Sequence, residues 1–350
     1  MTDNKSMIAD TTLRIFRELG DPNDAKHPNR DNSRLWSALS EAGLTRTWSS
    51  ESLNGAGATL ADGFEVLRIA GQFAVSAPLA ETLLAGWLLE QAGISIPDGV
   101  ITFAPADIRD CITVSADRKL TGSARSVPFA AVAKQFAVFA MRDTAACIAL
   151  VEQQLCEIKT ATNIAGDARD VVSLRDVAPH VIANTAINFD AFMLMGAAAR
   201  SVQMAGALQA ILELSVAYAN QRVAFEKPIG KFQAIQHSLA KLAGETAAAL
   251  AAAGSAADAI HSTPHFDAAT FLEIASAKIR VGEAVTAGAA IAHQVHGAIG
   301  FSQEHVLHRY TQRLWAWRDD FGSESYWAVR LGQLVASNGA DALWPMLAAR

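Results

Sequence analysis

Cysteine is scarce in this chain. Three in 350 residues, Cys111, Cys147 and Cys156, are widely spaced, odd in number and without a Cys-x-x-Cys pair. That excludes a disulfide scaffold and a thiolate zinc site, and leads us to expect reduced thiols and a cytoplasmic protein. Charge is also sparse: 18% of residues are charged against 51% hydrophobic, the balance of a packed globule and not of a disordered chain. Positive charge is not in excess, with 29 Lys and Arg against 35 Asp and Glu, a net charge of −6. A nucleic-acid partner, which needs a basic surface, is therefore not expected. Long apolar runs are lacking too. The richest, Ala77 to Leu89, contains Glu81 and fits a buried helix better than a membrane span. Met1 to Asp10 is polar and lacks the charged-then-apolar order of an export signal. Gly55-Ala56-Gly57 has neither the preceding strand nor the full glycine pattern of a dinucleotide loop.

What is present falls into three zones, within a length that allows one large or two to three small domains. Residues 1–96 read as helical. Ser33 opens a helix with Leu35, Leu39 and Ala42 on its apolar face, stopped by Gly43; a second runs from Thr59 to Ile69, and a third begins at Pro78 and Glu81 and ends near Gly93. Residues 97–179 alternate with a period of two. Strands are expected at Val100–Phe103, Cys111–Val114, Phe136–Met141, Cys147–Val151, Glu157–Thr160 and Val171–Leu174, with turn signals such as Thr121-Gly122 between them. Evenly spaced short strands imply a small β-barrel or sandwich. Residues 180–350 return to helices, expected at 186–221, 232–262, 267–297 and 303–317. Their Ala- and Leu-rich composition is that of a closely packed four-helix bundle. The fold class is thus α+β, mostly α.

Two segments carry chemistry. Tyr218 to Gln233 reads as a helix end, a turn through Pro228 and Gly230, and a new helix with Phe232, Ile235, Leu239 and Leu242 on one face. Arg222 and Gln233 flank the turn, so a guanidinium and a side-chain amide can address one anion. The second segment, His293 to Gly300, offers Gln294 and a small-residue turn that a flat ligand can approach closely.

Together these segments resemble the C-terminal domain of acyl-CoA dehydrogenases, which are flavoenzymes. The resemblance implies that Arg222, Phe225, Gln233, Gln294 and Gly297 contact the pyrophosphate and adenosine end of an FAD held mainly by a neighbouring subunit. Two departures are visible: Glu226 stands where the family usually has Gly, and Ala298 replaces the second Gly of its Gln-x-x-Gly-Gly turn. The order of helices, strands and bundle is also that of the family, as is Ala70-Gly71-Gln72-Phe73 leading to Pro78-Leu79-Ala80-Glu81-Thr82.

Removing two hydrogens from an acyl thioester needs a carboxylate base, its pKa raised by a desolvated pocket. Counted forward from Gln294, the family's base loop falls on Asp320-Phe321-Gly322-Ser323. Gly322 and Ser323 match the family's Gly-Thr pair, which places Ser323 among the implied cofactor contacts, but the base position holds Phe321. The alternative base position on an earlier helix is Gly196. The strand zone departs as well: the flavin-binding stretches appear as Phe103-Ala104-Pro105-Ala106-Asp107 and Ser126-Val127-Pro128. Some bacterial members that act on CoA-activated steroid side chains are two-gene heterotetramers, and the resemblance is to the base-lacking subunit of these. It implies an acyl-CoA substrate, FAD, a homologous catalytic subunit or a homo-oligomer as partner, and an electron-transfer flavoprotein as acceptor. The alternatives are a self-sufficient homomeric enzyme with Asp320 as displaced catalytic base, and a non-catalytic scaffold.

Each residue also has an ordinary reading. Arg222 alone is a surface helix residue, and Gln233 and Gln294 gain weight only as a set. His293, His296, His305 and His308 form two i,i+3 pairs, but no carboxylate cluster with ligand spacing accompanies them, so no metal is expected. Asp319, Asp320 and Glu324 also fit a solvated acidic turn after Arg318. Trp315 and Trp317 point to different sides of their helix and read as packing or interface residues.

Overall fold

The computed structural model describes residues 2–20, 32–263 and 265–348. Residues 1 and 350, the outer limits of the expected domains, lie outside the described residues. Helices come first: α1 (Thr2–Leu19), α2 (Ser33–Glu41), α3 (Leu60–Gly71) and α4 (Leu79–Glu90). In α2, Leu35 and Leu39 are buried one turn apart, whereas Ala42 is exposed at the C-cap and Gly43 (φ 73°) ends the run. Helix α4 is buried from Leu79 to Leu89, so its polar side chains need partners; the Thr82 hydroxyl donates to the Ile101 carbonyl at 2.9 Å.

The period then changes to two. Strands β1 (Ile101–Ala104), β2 (Ile112–Val114), β3 (Leu120–Pro128), β4 (Gln135–Arg142), β5 (Ala145–Glu152), β6 (Glu157–Lys159), β7 (Arg169–Val177) and β8 (Val181–Asn184) make one eight-stranded sheet. Its order is β6-β7-β3-β2-β4-β5-β8, with β1 also on β4. Strands β1 and β2 run parallel to β4, and every other pairing in the sheet is antiparallel. Leu120, Ala124, Val127, Phe136, Val138, Val151, Val172 and Leu174 meet in one apolar cluster, so the sheet curls around its own core in a barrel-like way.

Two parts of this sheet differ from expectation. Thr121-Gly122 lies inside β3 and not in a turn. Gly122 sits at a register shift of the β3–β7 ladder, where a Cβ would come within 2.5 Å of the Cys111 carbonyl oxygen. The glycine therefore serves close strand approach at a bulge, and its turn-like signature misleads. Strand β8 extends the sheet beyond Pro179 by pairing with β5.

The remaining long elements are α5 (Phe189–Gln221), a two-residue-stranded hairpin of β9 (Val223–Ala224) and β10 (Lys227–Pro228), α6 (Gln233–Ser262), α7 (Ala268–His296), α8 (Leu307–Asp319), α9 (Glu324–Asn338) and α10 (Leu343–Ala348). The four long helices expected of the bundle are present, and α9 and α10 add to them. Helix α9 escapes a periodicity reading because Trp327 is its buried residue while Val329 is 60% exposed. Helix α5 has the length and apolarity to cross a membrane, but 61% of its most apolar window is buried inside the protein, which marks it as a core helix.

The described chain packs as two compact units. The first takes residues 2–15, 32–66 and 76–196, and the second residues 16–20, 67–75 and 197–348. All the sequence-predicted cofactor residues, and Asp320, belong to the second.

Candidate functional site

The end of α5 turns directly into the hairpin. The Arg222 amide still donates to the Tyr218 carbonyl at 2.8 Å, and the Arg222 carbonyl accepts from the Ile229 amide at 2.8 Å. Ala224 pairs with Lys227, leaving Phe225 (φ 50°) and Glu226 (φ 66°) as the loop. Positive φ at both central positions is a type I′ geometry, which favours glycine or asparagine. This explains the family's Gly where this chain has Glu226: the position demands a left-handed backbone, and Glu226 adopts it with strain. Phe225 is 88% exposed, edge-on to Phe232 at 6.2 Å, and the Lys227 ammonium sits 4.5 Å from the centre of the Phe232 ring. Arg222 and Gln233, the first residue of α6, are both exposed, and the guanidinium of Arg222 has no ion-pair partner among the described residues.

The second segment closes α7. His296 is its last residue, and Gly297 follows with φ 66°. Gln294 and Gly297 are exposed and line an open hollow of about 510 Å³ with Thr286, Ala289, His293, Phe301 and Trp315. His293 is nearly parallel to both Phe301 (4.0 Å, 16°) and Trp315 (6.1 Å, 22°), and its Nε2 shares a 2.9 Å hydrogen bond with the Thr311 hydroxyl. The two segments are neighbours because Tyr218, one turn before Arg222, stacks on His296 at 4.5 Å. Burial, reinforced by neighbouring imidazoles, holds His293, His296 and His305 below the usual histidine pKa, so these rings are neutral packing groups at neutral pH. Among the described residues no cluster of three or more His, Cys, Asp or Glu side chains has the geometry to hold a metal ion.

The loop between α8 and α9 is built differently. Phe321 is buried (5% exposed) with φ 55°, and its carbonyl accepts from the Trp327 indole N–H at 3.0 Å. The Asp320 carboxylate accepts from Nε of Arg200 at 2.9 Å. Arg200, itself 1% exposed, also donates to the Gln203 side chain at 2.6 Å and lies over the Trp317 ring at 5.9 Å. Ser323 is the N-cap of α9, its hydroxyl accepting from the Tyr326 amide. The alternative base position, Gly196, lies in a fully buried stretch of α5.

In the strand region, Phe103, Ala104 and Pro105 are buried, and Asp107 is engaged by Arg109, whose guanidinium pulls its pKa down to about 2. Ser126 is the exposed left-handed residue (φ 54°) of the second β3 bulge, while Val127 and Pro128 are buried.

The structure thus brings Arg222, Phe225, Gln233, Gln294 and Gly297 onto the surface of one unit and places Asp320 and Ser323 in a loop held from within. Sequence reasoning missed His293, Phe301 and Trp315 as hollow-lining rings, and Arg200 and Lys278 as buried cations. Lys278 had left a signal: it stands on the apolar face that Ile274, Val281 and Val285 define at helical spacing.

A sequence model described as acyl-CoA dehydrogenase, C-terminal domain, matches residues 189–318. Acyl-CoA dehydrogenase IpdE2 of Mycobacterium tuberculosis is 30% identical over 283 residues, 80% of this chain and 79% of that protein. IpdE2 of Mycolicibacterium smegmatis is 27% identical over 89% of this chain and 93% of its own length. Among solved structures, a chain of the ChsE4-ChsE5 complex from Mycobacterium tuberculosis superposes with a TM-score of 0.87 at 20% identity, covering 97% of this chain and 99% of that one. With the matched C-terminal domain, the 30% identical relative and the shared fold, the chain belongs to the acyl-CoA dehydrogenases, oxidoreductases that act on CH–CH bonds.

Proposed function

We propose that this chain is the base-lacking subunit of a two-chain acyl-CoA dehydrogenase. In this role it completes the FAD site of a homologous catalytic subunit for α,β-dehydrogenation of an acyl-CoA thioester. The observation that carries this reading is the contrast between the two halves of the site. Phe321, at the family's base position, is a buried phenyl ring that accepts no proton, whereas Arg222, Gln233 and Gln294 stand exposed. Asp320, the nearest carboxylate of that loop, is held by Arg200, and we assign it the role of that cation's counter-ion.

The residues present fit one end of the cofactor. An unpaired guanidinium suits a pyrophosphate, side-chain amides suit phosphate or ribose oxygens, and the ring-lined hollow at Gln294 has room for a flat group. Arg222 with Gln233 and Phe225 would hold the distal end, and Gln294 with Gly297 would approach it closely. When bound, the flavin supplies the hydride acceptor of the reaction; this chain's contribution is to bind and orient it. The strand region fits the flavin ring poorly, since Asp107 is engaged by Arg109 and the Phe103–Pro105 stretch is buried. Heteromeric assembly is in keeping with the ChsE4-ChsE5 complex and with the Tcur3481-Tcur3483 steroid acyl-CoA dehydrogenase, the latter making a steroid acyl-CoA thioester the substrate class to test; an electron-transfer flavoprotein is the acceptor that the family resemblance implies.

The test is the visible absorption spectrum of the chain purified alone and co-purified with a homologue that has the base Glu. Flavin in the complex only is the expected result. Flavin bound by the chain alone, with dehydrogenation abolished by Asp320→Asn, would instead establish a homomeric enzyme with Asp320 as base. A flavin-free complex would leave the scaffold reading.

A further inference from the structure

Lys278 is a buried cation that the proposed flavin contacts do not use. It is 1% exposed on α7, and its ammonium donates to the Arg318 carbonyl at 2.5 Å and to the Gly322 carbonyl at 2.9 Å. Those two carbonyls bracket Asp319-Asp320-Phe321, the segment at the family's base position. From outside the segment, Arg200 holds the Asp320 carboxylate and Trp327 the Phe321 carbonyl. Phe321 and Gly322 both have positive φ (55° and 93°), a conformation that a phenylalanine keeps only when its surroundings enforce it.

Helix α7 is shaped for the other flank of the loop. A Cβ on Gly282, one turn after Lys278, would meet the Glu324 side chain within 2.4–2.6 Å, so the glycine lets this carboxylate lie against the helix. The charged groups that act on Lys278 are the carboxylates of Asp320, Glu324 and Asp319, which favour its ammonium, and the Arg200 guanidinium, which opposes it. A buried ammonium persists only with counter-charges and satisfied donors, and this loop supplies both.

We propose that Lys278 is the positioning residue of the α8–α9 loop, fixing the Arg318 and Gly322 carbonyls so that Asp320 and Phe321 hold one conformation at the family's base position. This rests on the alignment of that loop with the family's base loop, and not on whether the chain binds flavin. Desolvation lowers the Lys278 pKa from 10.5 to about 8, with Asp320 the largest opposing charge. The clamp is therefore charge-assisted below about pH 8 and weakens above it.

The test uses the full chain, or its complex, and reads the loop directly. In Lys278→Met, chymotryptic cleavage after Phe321 is expected to be at least about tenfold faster than in the parent (about 1.4 kcal/mol of lost clamping at the tenfold limit), with Lys278→Gln restoring part of the resistance through its amide donor. In the unsubstituted chain, the near-UV circular dichroism of Trp317 and Trp327, which flank the loop, is expected to change with a midpoint near pH 8. Asp320→Asn should move that midpoint lower, because the ammonium loses its main counter-charge. A folded Lys278→Met with unchanged cleavage overturns the proposal. If that variant does not fold, an absent transition or an unmoved midpoint in Asp320→Asn overturns it. Neither readout depends on flavin, so failure here is distinguishable from failure of the proposed function.

Discussion

The strand region and the turn between α5 and α6 treat polar side chains in opposite ways. In the sheet, carboxylates are engaged locally: Asp107 with Arg109, Asp110 with Arg125, and Asp170 (1% exposed) with the amides of Ala131 and Ala161. At the end of α5 and the start of α6, Arg222 and Gln233 stand exposed beside an aromatic residue that is 88% exposed. A satisfied polar group contributes to stability and has little left for a ligand; an unsatisfied exposed one contributes little to stability and is available. The comparison teaches that, on the proposed reading, the polar groups left available for a ligand lie on the helices, even though both regions keep the family's fold.

The sharpest way to break this comparison is to open a gap in the core of each region and, separately, to remove the exposed cation. Phe136→Ala in the sheet and Trp327→Ala in α9 each remove a fully buried aromatic, at a cost of roughly 3–5 kcal/mol. Thermal unfolding followed by circular dichroism should register both, and a loss under 1 kcal/mol for either would mean that its core collapses around the gap. Arg222→Ala should do the reverse. It should leave the unfolding midpoint unchanged while lowering flavin retention in the co-purified complex by about 10- to 100-fold, as expected for a charge-assisted bond of roughly 1.5–3 kcal/mol. Unaltered flavin stoichiometry on gel filtration would remove Arg222 from the site.

Acid should separate the regions further. His293, His296 and His305 have folded-state pKa values below the ordinary 6.5, so the unfolded chain binds more protons there. Their contribution is complete above about pH 6.5 and is lost as pH falls through the depressed values. The Asp107–Arg109 pair behaves likewise in a lower window, since its carboxyl titrates at about 2 instead of 3.8. Denaturant unfolding between pH 7 and 5 should therefore weaken the helical unit first. Simultaneous weakening of sheet and helices would contradict this order. The smallest effect is expected of Glu226→Gly, which relieves a left-handed Glu and should stabilise by about 1 kcal/mol or less. A destabilised variant would mean that the Glu226 side chain makes a compensating contact.

Much of this molecule was legible as sequence. Short apolar runs bounded by turn signals in 97–179, alternating in β2 and continuous in β1, β4 and β5, and the apolar repeats beyond residue 186 located strands and helices to within a few residues, because each pattern reports which faces are buried. The helix end, tight turn and C-cap that carry Arg222, Phe225, Gln233, Gln294 and Gly297 were legible locally, whereas their grouping as one cofactor set came from the family resemblance and remains part of the proposed function. Strand β3 was hidden by a glycine whose role is close approach to Cys111, and α9 by its single anchoring tryptophan. Neither cause is local.

The sequence by itself determined the fold class and the absence of a carboxylate at position 321, since each of these is a matter of residue type and short-range spacing; the flavin-facing surface it suggests belongs to the proposed function. Tertiary structure alone decided what surrounds that position. Arg200 lies 120 residues before Asp320, and Lys278 lies 40 and 44 residues before the carbonyls it holds. Charges so far apart in the chain meet only when helices pack, and once buried together they must pair, which is why the clamp on the α8–α9 loop is written in the fold and not in any stretch of the sequence.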